Sequence, residues 1–143
     1  MAINALLRSG RIRRETISPA EVREALKLAD RDLRVARKLM GEELDWGVTV
    51  AYNAVLQAGR AFMFAKGYRP ASTEGHKNTF AFLAAALGPE HADLMSYFDR
   101  MRNKRNQAVY GMAGRIAETE ARNLLAKATA FVRLVKRLVK DTA

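Results

Sequence analysis

From Ser18 onward the apolar residues recur every three or four positions, and no stretch alternates convincingly at period two. A spacing of three and four places side chains on one face of a helix. Val22, Leu26, Ala29, Leu33, Ala36 and Met40 form such a stripe, so the first long helix should run to about Met40, where Gly41 can end it. Its start is marked by Ser18-Pro19-Ala20-Glu21: a capping serine, a proline at the first helical position, and a glutamate where a capping box needs one. A second helix is predicted from Trp46 to about Ala65, capped by Asp45 and ended by Gly67. Ala51, Ala54, Ala58, Gly59 and Ala61 make it small-sided on several faces, which suits the centre of a packed bundle. Trp46, Tyr52, Phe62 and Phe64 read as core or interface aromatics.

After the turn Gly67-Tyr68-Arg69-Pro70, Ser72 or Thr73 can cap a third helix through Phe80, Phe82, Leu83 and Leu87. Gly88-Pro89 stops it and starts a fourth, which ends near Gly111 or Gly114. The last helix runs from about Glu118 to Val139, with Leu124, Ala128, Phe131, Val135 and Leu138 as its stripe. Short links between long helices predict an all-α fold, an antiparallel up-and-down bundle of four to five helices. Ahead of the bundle, residues 1–17 read as a short helical piece, Ala2 to Leu7, and a basic tether, Arg8 to Arg14; residues 18–143 are the bundle.

The fourth helix contains the one break in pattern that bears on chemistry. Its seam is Leu94, Phe98, Met101, Arg105, Ala108 and Met112, and the fourth member is an arginine. A guanidinium is costly to bury without partners. At about 100° per residue, Asp99, Arg102, Asn106 and Tyr110 share an arc with Arg105 at its edge. Such a cluster fits an anion or RNA site, and it fits equally an internal ion pair that only holds an interface.

Composition narrows the function classes. The chain has 143 residues with 25 Lys+Arg against 15 Asp+Glu, a formal charge of +10 that favours polyanionic or acidic partners. Cysteine is absent, which removes disulfides, thiol catalysis and cysteine-based metal sites. No apolar run reaches the roughly 18 residues of a membrane span, and nothing near the N-terminus reads as a secretory signal, so a cytoplasmic location without membrane attachment is expected. His76 and His91 have no metal-ligand spacing around them, and no HExxH, Walker-type loop or Ser–His–Asp set is present. No metal or cofactor is expected. His76, in Gly75-His76-Lys77-Asn78, reads as a surface or capping residue at a helix start.

Phe98-Asp99-Arg100-Met101-Arg102-Asn103-Lys104-Arg105-Asn106-Gln107-Ala108-Val109-Tyr110-Gly111 resembles the signature helix of HEPN domains, small helical proteins named for higher-eukaryote and prokaryote nucleotide binding. Ala51 to Ala58 resembles the family's second helix, and Lys66-Gly67-Tyr68-Arg69-Pro70 with Gly75-His76 resembles its linker. The resemblance implies a bundle that forms a symmetric homodimer. It implies RNA or nucleotide binding near Asp99, Arg102 and Asn106, and metal-independent RNA cleavage through an Arg-polar-x-x-x-His motif. It also implies a toxin-like role beside a partner nucleotidyltransferase. Arg105 and Asn106 match the start of the motif, whereas Tyr110 stands where the histidine falls. Imidazole titrates near about 6.5 and phenol near about 10, so Tyr110 and Arg105 are the catalytic candidates only if the phenol is shifted far down. The alternative is a non-catalytic dimeric module that docks on an acidic protein, with Arg105 holding the interface.

Overall fold

Ser18 caps the first long helix as its sequence requires: its hydroxyl accepts from the Glu21 backbone N–H at 3.3 Å. The Glu21 side chain does not close the capping box, because its carboxylate is taken at 2.9 Å by Arg69. The computed structural model describes residues 2–71, 73–110 and 116–142, excepting the side chains of 107–110 and 141–142. In chain order it contains α1 (Ile3–Arg8), β1 (Ile12–Arg14), α2 (Pro19–Leu39), α3 (Leu44–Ala65), β2 (Tyr68–Pro70), α4 (Gly75–Leu87), α5 (Ala92–Tyr110) and α6 (Glu118–Thr142), with a 3-10 turn at Pro89–His91 before α5. The fold is an all-α antiparallel bundle.

Helix α3 is the centre of that bundle, in contact with α2, α4, α5, α6 and β2. The small residues explain how. Ala51, Ala54, Ala58 and Ala61 are fully buried, so helices approach from several sides without large side chains between them. Helix α2 lays Val22, Ala25, Ala29, Leu33 and Ala36 against it, and α6 contributes Leu124, Ala128, Phe131 and Val135. Phe98 of α5 meets Phe131 of α6 edge-on, with ring centroids 5.4 Å apart, and joins the last two helices. Lys104 of α5 also pairs with Glu120 of α6, which holds the Glu120 carboxyl below its ordinary value.

Several expectations are corrected. Helix α3 starts at Leu44 rather than Trp46, with Glu43 rather than Asp45 at the cap; Asp45 lies inside the first turn, and its carbonyl accepts from Thr49 at 3.0 Å. Thr73 does not cap α4, which begins at Gly75 after Glu74 turns the chain in a left-handed conformation at φ 54°; Ser72 lies outside the described residues. Of the aromatics read as core or interface, Tyr52 and Phe62 are in the core, whereas Trp46 is 57% exposed and so is not a core residue. The seam residues Phe98 and Met101 are buried; Ala108, Met112, Gly111 and Gly114 fall outside what is described.

The segment read as a basic tether is ordered. Residues 12–14 pair antiparallel with 68–70, Ile12 opposite Pro70 and Arg14 opposite Tyr68. The reason is a mixed pattern too short to register as alternation. Ile12 is 2% exposed and fastens the strand inward, while Arg13 and Arg14 face out. Leu6 of α1 is fully buried as well, and α1 rests on α4. The arginines have specific partners: the Arg14 guanidinium lies 5.4 Å from the Tyr68 ring, and Arg69 binds Glu15 and stacks over Phe64 at 4.8 Å.

Gly59 sets the approach of α4 to α3. A methyl group placed there would come within 2.8 Å of Leu83 Cδ1 and 3.4 Å of Thr79 Cγ2. Gly59→Val should therefore cost stability, by about 1–3 kcal/mol of overpacking. Urea denaturation measures it; an unchanged midpoint and slope would mean that the two helices do not pack this closely.

Candidate nucleic-acid interface

The site grows from a single ring. Tyr52 on α3 is fully buried, and side chains from two other helices rest on it. The Arg105 guanidinium of α5 lies 5.0 Å from the ring centroid. The His76 imidazole, in the first turn of α4, lies 6.1 Å away and tilted by 40°. Phe80, one turn further along α4, is at 5.9 Å. An arginine over an aromatic face gains about 0.5–2 kcal/mol, and the contact fixes where the guanidinium fork points.

Arg105 has no ion-pair partner among the described residues. One of its terminal nitrogens donates to Asn106 Oδ1 at 3.0 Å. Arg102, one turn earlier, bonds Asp99 at 3.0 Å. Of the buried polar atoms without a hydrogen bond among the described residues, three belong to this cluster: Arg105 Nε, Arg102 Nε and the Tyr52 hydroxyl. Buried polar groups are nearly always satisfied, so this cluster of unsatisfied ones is unusual. All three are able to donate, which selects an acceptor and, beside two guanidinium charges, an anion.

The electrostatics agree. Burial pushes the Tyr52 phenol up to about 12; the charges of Arg102 and Arg105 oppose that shift and Asp99 adds to it. The same side chains act on His76. Burial, then the charges of Arg105, Arg60 and Arg102, hold its imidazole below the ordinary value, so it is neutral at neutral pH.

The start of α4 is pinned independently. Asn78 is 3% exposed; its Oδ1 accepts from Arg11 Nε at 2.8 Å and its Nδ2 donates to the Thr73 carbonyl at 3.0 Å. Thr79, fully buried, donates to the Gly75 carbonyl at 2.7 Å. Beyond this turn an open groove of about 850 Å³ runs between α4 and α5, lined by Phe80, Ala81 and Met95, with Arg11, Lys77, Asp99 and Arg100 also along it.

A family model of the HEPN domain matches residues 22–138. The chain belongs to the HEPN family. No curated protein matches it. The HEPN match spans nearly all of α2 to α6 and leaves α1 and β1 outside. Membership points to RNA-binding or nuclease-type function in a family whose domains commonly dimerise. No helix among the described residues is long and apolar enough to cross a membrane, and no cluster of three metal-ligating side chains occurs among them.

Helix α5 carries the segment that resembles the HEPN signature helix, and its spacing places Asp99, Arg102, Arg105 and Asn106 along one side. Tyr110 closes the helix; its side chain lies outside the described residues. Sequence reasoning pointed to the α5 residues of this cluster and did not connect them with Tyr52, and it offered His76 only as a substitute base. Tyr52 looked like core, which it is, and only the cross-helix contact gives its ring a second duty. His76 looked like a surface cap because the residues that cover it belong to α3 and α5. The available signal was the seven-residue step from Tyr52 to Gly59, which puts both on the face of α3 that meets α4.

The Tyr52 shift has a consequence at high pH. A group whose folded pKa is raised contributes stability that is complete below its unfolded value near about 10 and is lost as pH rises through the folded value of about 12. Tyr52→Phe, which keeps the ring and removes the unsatisfied hydroxyl, should flatten the alkaline loss between those limits while leaving neutral-pH stability equal or higher. Melting temperatures from pH 8 to 12 measure this; identical alkaline profiles for the two proteins would contradict the assigned environment.

Proposed function

We propose that this HEPN chain binds RNA, with a backbone phosphate held by Arg102 and Arg105 above the Tyr52 ring. The observation that carries the reading is the cluster of three buried, unsatisfied donors at one point of the surface. A phosphate oxygen accepts from a guanidinium fork in the geometry that a carboxylate would use, and Asn106 extends the set at its exposed edge. The net charge of +10 and the neighbouring cations Arg11, Lys77 and Arg100 favour a polymer over a free nucleotide, because they extend the positive field along the α4–α5 groove. A symmetric homodimer would bring two such sites together, as the family's habit implies.

A second reading is supported by α2. Its exposed Arg23, Lys27, Arg34, Arg37 and Lys38 form a basic face on a different helix from the RNA site. That face suits an acidic partner protein, as in the toxin-like half of a nucleotidyltransferase pair, with the bundle acting as a dimeric module.

Fluorescence polarisation with a labelled single-stranded RNA separates the two. Arg105→Ala should weaken binding about tenfold or more and lower the slope of log affinity against log salt by about one counterion. Reversal of Arg34 and Arg37 to glutamate should leave RNA affinity within a few-fold. Unchanged affinity and slope in Arg105→Ala would overturn the RNA site and leave the partner-docking module.

A further inference from the structure

We propose that the slot between the start of α2 and the ends of α3 and α6 binds a single-chain amphiphilic anion, with a linear aliphatic tail inside and its carboxylate at a cationic mouth. The inference is independent of the RNA reading and uses none of the same side chains.

Three helix ends make the slot. Ile17 precedes the capping Ser18 and Val22 follows one turn on, the two positions at which an apolar pair fixes how a chain enters its helix. Together with Leu26, and with Phe64, Ala65 and Val139 from the other two helices, they line a cavity of about 240 Å³. The space exists because α3 ends on a small residue: after Ala65 and Lys66 the chain turns away into β2 through Gly67 at φ 86°. Phe64 is held in place, since Arg69 lies 4.8 Å over its ring and is itself bound by Glu15 and Glu21. Ile17, Leu26, Phe64 and Val139 are only half-buried, so the apolar lining is open to solvent. The volume lies below the roughly 300–1,000 Å³ of sites that enclose a drug-sized molecule, which suits one tail and not a ring system.

The mouth selects the head group. Arg23 is the one polar residue lining the slot. A polar recess of about 550 Å³ adjoins it, sharing Ile17, Phe64 and Ala65 and adding Arg14 and Lys66. The acidic groups nearby are already engaged, Glu15 by Arg69 and Arg13, and Glu21 by Arg69. No ion pair among the described residues engages Arg23, Lys66 or Lys140, the residue after Val139. An apolar interior is thus bordered by cations without counter-charge. A cationic head would be repelled there, and a neutral one would leave the charges as they are. A carboxylate on an aliphatic tail meets both the interior and its rim.

The test is calorimetric titration of the full chain with straight-chain carboxylates from butanoate to decanoate, each below its micelle concentration, beside carbon-13 methyl spectra. Decanoate should bind saturably, and each methylene that enters the slot should tighten affinity by up to about fourfold. Methyl shifts should gather at Ile17, Val22, Leu26 and Val139. Ala65→Leu fills the slot from α3 and should abolish the dependence on chain length; Val139→Phe fills it from α6 and serves if the first variant does not fold. Arg23→Glu with Lys66→Glu should weaken decanoate about fivefold or more and leave decanol within about twofold. No saturable binding of decanoate, binding that the filling variants leave unchanged, or decanol binding as tightly as decanoate overturns the site. Protein that sediments with phosphatidylglycerol vesicles and binds no free decanoate also overturns it, in favour of a membrane surface.

Discussion

Everything distinctive about this bundle depends on keeping the Tyr52 ring dry. A tyrosine buried to this degree usually finds a partner for its hydroxyl; here the ring is packed and the hydroxyl is not satisfied. The ring of α3 is touched by side chains of both α4 and α5. Arg105 takes its orientation from the ring face, and His76 takes its burial from the ring edge. Replace the ring by an aliphatic side chain and Arg105 loses the aromatic face it lies over. Burial is the largest influence on both groups: it raises the phenol's pKa and, with the charges of Arg105, Arg60 and Arg102, lowers that of the His76 imidazole.

The small residues of α3 are the precondition. A helix lined with Leu or Phe would hold its neighbours at full side-chain distance. Alanines at 51, 54, 58 and 61, and glycine at 59, let four helices contact one. The opposite choice appears on α2 and α6, whose apolar residues are confined to one stripe and whose outer faces are charged. Central and peripheral helices are thus distinguished by side-chain size as much as by hydrophobicity.

That distinction made most of the fold legible. The stripes of α2 and α6 fell inside where the spacing put them, and Ser18 capped its helix. The α5 seam announced Arg105 as an anomaly because a cation at a core position breaks a local pattern. What could not be read was whatever depends on two distant segments meeting. His76 has no unusual neighbours in sequence; its neighbours in space are residues 52 and 105. The strand at Ile12–Arg14 has three residues, one of them apolar, too few for a period to emerge. The start of α4 escaped for another reason: Glu74 adopts a left-handed conformation in which its side chain caps nothing, so no capping signature marks the helix.

The pairing of β1 with β2 has a consequence for how the molecule comes together. It joins residues 54 apart in sequence, with α2 and α3 between them. Closing so long a loop from an open chain is unfavourable, but once α2 and α3 have docked as a hairpin most of that entropy is already spent. The strand is then a latch set after the bundle has formed. It is held by the ladder with β2, the buried Ile12, the Arg69–Glu15 pair and the contact of Arg14 with Tyr68. Because Arg11, next to the strand, bonds the Asn78 side chain two residues from His76, lifting the latch also loosens the turn on which the imidazole stands. The order of folding and the sharpness of the site are in this way linked through one short stretch of backbone.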